Sequence, residues 1–98
     1  MAYKIIWAPE AIEAFENICQ RIEQDSSFYA SVFADGVYEL INIAAQQPDA
    51  GREVPEYNNP DIREFFYKSY RVIYRKRINI IEVTTIFHGA RILPNFPL

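Results

Sequence analysis

The sequence predicts an α+β domain in which an N-terminal strand leads into an antiparallel helical hairpin packed on a mainly antiparallel sheet, in the order β-α-α-β-β-β. Three observations carry this reading. Apolar residues recur at helical spacing from Ile12 to Ala44, turn-forming residues crowd the stretch from Pro48 to Pro60, and aromatic and β-branched residues take over from Ile62 onward.

Tyr3 to Trp7 is short, aromatic and β-branched, and reads as the first strand. Pro9 then occupies a first helical position, which needs no backbone N–H, and Glu10 follows where the helix dipole favours a carboxylate. Ile12, Phe15, Ile18, Cys19 and Ile22 form one apolar stripe with Glu13, Glu16 and Glu23 off it. Asp25-Ser26-Ser27 supplies capping side chains for a second helix, marked by Phe33, Val37, Leu40, Ile41 and Ala44 and ending near Gln46. So tight a connection makes the two helices an antiparallel hairpin. The loop from Pro48 to Pro60 holds Pro48, Pro55, Pro60, Gly51, Asn58 and Asn59. Ile62–Tyr67, Tyr70–Arg75 and Ile78–His88 read as three antiparallel strands, with breaks at Lys68-Ser69 and Lys76-Arg77. In the last strand, simple alternation puts Ile81, Val83, Thr85 and Phe87 on one face. Arg71, Ile73 and Arg75 then project from the face opposite Val72.

A chain of 98 residues supports one hydrophobic core, so residues 1–98 are expected to be a single domain. Asn79 and Glu82 interrupt the richest apolar stretch, far short of the ~20 residues a bilayer span needs, and no membrane association is expected. Ile5-Ile6-Trp7 is too brief for a signal-peptide core before Pro9 and Glu10. The expected location is the cytoplasm. Cys19 is the one cysteine and His88 the one histidine, so neither a disulfide nor a metal site is expected, and Cys19 reads as a buried core thiol. Nothing calls for a cofactor.

Charge is unevenly distributed. From Met1 to Pro60 three basic residues stand against ten acidic ones, whereas from Asp61 to Leu98 seven basic residues stand against three. The C-terminal third is therefore the candidate face for an anionic partner. A Ser-His-Asp triad would have to join His88 to Ser26, Ser27, Ser31 or Ser69, none of which lies in a nucleophile elbow. Three glycines, Gly36, Gly51 and Gly89, make no phosphate-cradling loop. What remains is Arg63, Tyr67, Tyr70, Arg71, Tyr74, Arg75, His88 and Arg91, a basic and aromatic set suited to holding phosphates or stacking on bases.

Trp7-Ala8-Pro9 with Ala11, Pro48-Asp49-Ala50-Gly51-Arg52, Ile62-Arg63-Glu64-Phe65, Tyr70-Arg71-Val72-Ile73-Tyr74-Arg75 and Ile86-Phe87-His88-Gly89-Ala90-Arg91 occur in this order. Together they resemble the RelE/ParE superfamily of bacterial toxins, a resemblance that spans Tyr3 to Arg91. It implies a toxin neutralised by a cognate antitoxin, whose segment is expected to cover the helical hairpin and mask Arg71 or the tail. Two activities occur in the superfamily: metal-independent cleavage of messenger RNA on the ribosome, and inhibition of DNA gyrase by binding.

For RNA cleavage the resemblance assigns Arg71 and Arg91 to the phosphate, with His88 as acid or base. Where RelE carries lysines this chain has Ile62 and Glu64, and its tail offers only Asn95, Phe96, Pro97 and Leu98 where RelE has a tyrosine. Glu64 would repel a scissile phosphate. Gly51-Arg52, Ile62-Arg63-Glu64 and the His88-Gly89-Ala90-Arg91 ending follow the ParE-like branch. The favoured expectation is thus a gyrase inhibitor that is not an enzyme, contacting its target through Arg52, Arg63, Tyr70, Arg71, Arg75 and Arg91. The alternatives are the ribosome-dependent nuclease and an inactive module that only binds antitoxin. An architectural reading stands beside these roles, with Gly51 in a left-handed turn and the arginines paired to Glu53, Glu56 or Glu64.

Overall fold

The computed structural model describes residues 2–89. They form β1 (Lys4–Trp7), α1 (Pro9–Asp25), α2 (Ser27–Gln46), β2 (Arg52–Glu53), β3 (Ile62–Tyr67), β4 (Tyr70–Arg77) and β5 (Ile80–His88). The strands make one sheet in the order β1-β5-β4-β3-β2, antiparallel except for the β1–β5 pair. The expected α+β architecture is therefore present. No helix of the described residues is long and apolar enough to cross a membrane.

Each helix boundary has a local cause. The Ala8 N–H donates to the Val83 carbonyl at 2.9 Å, carrying the β1–β5 pairing up to the helix, where Pro9 stands at a position that needs no donor. Ser26 ends one helix and starts the next. Its N–H closes α1 on Ile22, and its side chain accepts from the Tyr29 N–H at 3.1 Å, which fixes the tight hairpin.

Both helices lie on one face of the sheet. Ala11, Ile18, Phe33, Val37 and Ile41 pack there against Val72, Val83 and Ile86, with Trp7, Phe15 and Tyr70 at the margin. Phe33 is the hinge of this packing, its ring 5.1 Å from Tyr70, 5.7 Å from Tyr67 and 6.0 Å from Phe15. Ile12, expected in the apolar stripe, is exposed because α1 turns Ala11 rather than Ile12 inward. Cys19 packs against the core yet is only partly buried, and burial and then Glu23 raise its thiol above the ordinary range.

The other face carries a smaller core of Val54, Ile62, Ile73 and Phe87, partly covered by Tyr57. Phe87 was expected on the face of Ile81 and Val83, and a β-bulge is the reason it is not. Ile73 pairs with Thr85 but Tyr74 with Val83, so Thr84 has no partner across the ladder, and its hydroxyl donates to the Ile73 carbonyl at 3.2 Å. Beyond the bulge the side-chain parity reverses: Ile86 joins the helix side and Phe87 the other.

Two further expectations are corrected. The last hairpin turns at Ile78-Asn79 rather than Lys76-Arg77, because Asn79 tolerates the left-handed conformation (φ 61°) that the turn requires. The loop from Pro48 to Pro60 also contributes β2, whose Arg52 pairs with Glu64 and Glu53 with Arg63.

Candidate functional site

On the face away from the helices, β2, β3 and β4 bring Arg52, Glu64, Phe66, Arg71 and Ile73 to the same side, since partners in register share a face. Glu64 is fully buried there. Its two carboxylate oxygens accept from Arg52 Nε at 2.7 Å and from Arg71 Nε at 2.6 Å. Glu56, reaching over from the loop, takes the outer edge of the same guanidinium, with Arg71 Nη1 and Nη2 donating at 2.8 and 3.0 Å. The Arg71 Cζ lies 5.4 Å from the Phe87 ring and 5.9 Å from Phe66, while Arg52 stacks on Phe66 at 4.9 Å.

Two guanidiniums thus meet two carboxylates, and the cluster is neutral. Donation from Arg71 is the main cause that holds the Glu56 carboxyl below the ordinary range. Its bonds to Glu56, and next those to Glu64, keep Arg71 charged against the cost of its burial. Among the described residues no buried side-chain nitrogen or oxygen lacks a hydrogen-bond partner.

The loop is fastened by a second set of bonds. Tyr74, fully buried, accepts from the Gly51 N–H at 3.0 Å and donates to the Pro48 carbonyl at 2.8 Å. Gly51 has no positive φ; it is there because a Cβ would come within 2.8 Å of both the Glu64 carbonyl and the Tyr74 ring. Arg63 donates to the carbonyls of Gly51 (2.8 Å), Pro60 (2.9 Å) and Asp49 (3.2 Å). Lys76 donates to Asp49 at 2.7 Å, which lowers the Asp49 carboxyl and raises the Lys76 amine.

The residues singled out from sequence do not converge. Arg52 and Arg71 share the open face, and Arg63 is a fastener of the loop. Tyr70 and His88 pair across β4 and β5 on the helix side, their rings 5.5 Å apart, and His88 lines a cleft of about 420 Å³ with Asn17 and Arg21. Arg75 makes no ion pair among the described residues and borders a separate cleft with Tyr3 and Asp61. Arg91 lies outside the described residues. Among these, no three of His, Cys, Asp and Glu lie together as a metal would need.

Sequence reasoning missed Phe66 and Phe87 and saw Glu56 only as one of several possible counter-ions. Phe66, half exposed between strand neighbours, looks like ordinary sheet packing from its spacing. Glu56 sits in an aperiodic loop where no pattern identifies its partner.

Residues 5–93 match the family model of the ParE toxin of the type II toxin-antitoxin system parDE. No curated protein matches the sequence. Among solved structures, the chromosomal ParDE toxin-antitoxin system from P. aeruginosa aligns with a TM-score of 0.71 at 14% identity, covering 89% of this chain and 96% of that one. The RelBE2 toxin-antitoxin complex from Mycobacterium tuberculosis aligns with a TM-score of 0.59 at 13% identity, covering 90% and 99%. At such identities the two structures share the fold.

Proposed function

The chain belongs to the ParE toxin family of type II toxin-antitoxin systems, and from that premise we propose that it acts by binding DNA gyrase rather than by cutting RNA. One observation carries the choice: Arg71, the strand arginine that a nuclease would aim at a phosphate, is buried and held by Glu64 and Glu56. Stabilising a phosphorane-like charge needs uncompensated, preorganised cations, and Arg71 is balanced by two carboxylates. His88 projects on the other side of the sheet from Arg71, so the two do not address one phosphate together. Arg52 and Phe66, half exposed side by side, are residue types enriched at protein–protein contacts.

The cognate antitoxin is the second partner. Ile12 and Tyr38 flank an apolar cleft of about 320 Å³ floored by Trp7 and Phe15, a place for the anchors of a segment that folds on binding across the hairpin. The two aligned structures are themselves toxin-antitoxin systems.

Growth after expression of the chain alone, followed by a supercoiling assay and a translation reaction mapped for cut messenger, tests the reading. Arrest with inhibited supercoiling and intact messenger is expected. Cleavage at ribosomal A-site codons with unaffected supercoiling would instead make it a nuclease, and unimpeded growth would make it an inactive antitoxin-binding module.

A further inference from the structure

The two carboxylates on Arg71 are not equivalent. Glu64 has no exposed side-chain surface and is shared with Arg52, whereas the Glu56 side chain is 43% exposed. The loop is anchored ahead of Glu56 by Val54, which is fully buried and whose N–H donates to the Ile62 carbonyl at 3.1 Å. The Glu56 side chain is therefore able to swing outward without unseating the loop.

We propose that the outer edge of Arg71, flanked by Arg52, is a receptor for a carboxylate of an acidic protein segment, and that Glu56 is its resident, displaceable occupant. The receptor is preorganised. The Glu64 bond to Nε and the flanking Phe66 and Phe87 rings keep the Arg71 fork aimed outward after Glu56 leaves. Arg52 commits only its Nε to Glu64; among the described residues its terminal nitrogens make no hydrogen bond, and its side chain is 55% exposed. With Glu56 withdrawn, two guanidiniums share one buried carboxylate, leaving one net positive charge beside the half-exposed ring of Phe66.

Exchange of one carboxylate for another conserves the bidentate geometry and costs little, because the pair given up is open to solvent on the Glu56 side. A phosphate fits the same fork, yet the one net positive charge left when Glu56 withdraws matches a single carboxylate and not a nucleic-acid strand, which would bring several negative charges past the buried Glu64. A single acidic side chain with an apolar neighbour to cover Phe66 meets both halves of the site. The chemistry is independent of which protein supplies the segment, so the test reads affinity rather than supercoiling.

Fluorescence anisotropy with a labelled, C-terminally amidated peptide that carries one glutamate beside a phenylalanine and with a labelled five-nucleotide uridylate RNA, on the full chain and on Glu56→Gln, decides the matter. Removing the internal competitor raises the competent fraction, so Glu56→Gln is expected to bind the peptide about fivefold more tightly than the parent chain. Adding Arg52→Ala, at a half-exposed position, should undo most of that gain while the melting temperature confirms the fold. Unchanged peptide affinity in Glu56→Gln, or a gain that survives Arg52→Ala, would sink the proposal. A larger gain for the RNA than for the peptide would reassign the site to nucleic acid.

Discussion

The two faces of the sheet solve the same burial problem by different means. The helix side is covered by two amphipathic helices and closed by aromatic rings, with Phe33 touching three of them. The other side has only a loop for a cover, and that loop is held largely by directed bonds: Tyr74 to Gly51 and Pro48, Arg63 to three carbonyls, and Arg71 to Glu56. Apolar burial is tolerant of small shifts, whereas charged pairs in a buried setting are strong only while complete. The open face is accordingly the one that can be altered by removing a single polar atom.

The largest expected effects fall equally on both sides but differ in how they are rescued. Phe33→Ala should cost about 3–5 kcal/mol by leaving a cavity, with no single compensating change elsewhere. Glu64→Ala should cost a similar ~3–5 kcal/mol by leaving Arg71 buried beside an empty position. Urea denaturation of Glu64→Leu with Arg71→Met should recover most of the second loss, since replacing a whole buried pair is often neutral. If the double substitution remains as unstable as Glu64→Ala, the charge account of this face fails.

An intermediate effect is expected at the loop fastener. Tyr74→Phe keeps the ring stacked on Phe65 but removes both hydroxyl bonds, at about 1–2 kcal/mol. Hydrogen exchange should quicken at Gly51 and leave the amides of α1 and α2 protected; uniform loss of protection would mean that the two faces unfold as one unit.

The smallest effect is a dependence on pH. Asp49 and Glu56 both titrate below their ordinary range, chiefly through bonds from Lys76 and Arg71. A depressed carboxyl adds stability that is present above its unfolded value and lost as pH falls through the folded one, so the loop should loosen below about pH 4. Lys76 titrates above its ordinary range, and its share is lost only in strong alkali, above about pH 10.5. Limited proteolysis between Pro48 and Pro60 across the acid range would detect the loosening, and equal cutting at pH 3 and pH 7 would contradict it.

The helix side was legible in the sequence because its signals are periodic: the stripes of α1 and α2, Pro9 at the helix start and Ser26 between the helices. The open side was not, because its determinants are pairwise. An excess of seven basic over three acidic residues after Pro60 suggested an exposed cationic surface, but Asp49 and Glu56 of the acidic segment neutralise Lys76 and Arg71 of the basic one. Composition reports how many charges a segment holds and says nothing of which ones face each other. Gly51 illustrates the same limit: its glycine was recognisable, but the need was room for Tyr74, which depends on a strand 23 residues away.

Thr84 has a consequence for how this fold can vary. A strand displays its residues in an odd–even code, and one residue that drops out of the ladder inverts the code for everything after it. Ile86 and Phe87 are therefore assigned to their sides by a single insertion upstream, not by their own chemistry. Relatives that gain or lose one residue at this point would exchange the side chains next to Arg71 for those under the helices, and alignments that slide across Thr84 without a gap would equate positions on opposite surfaces.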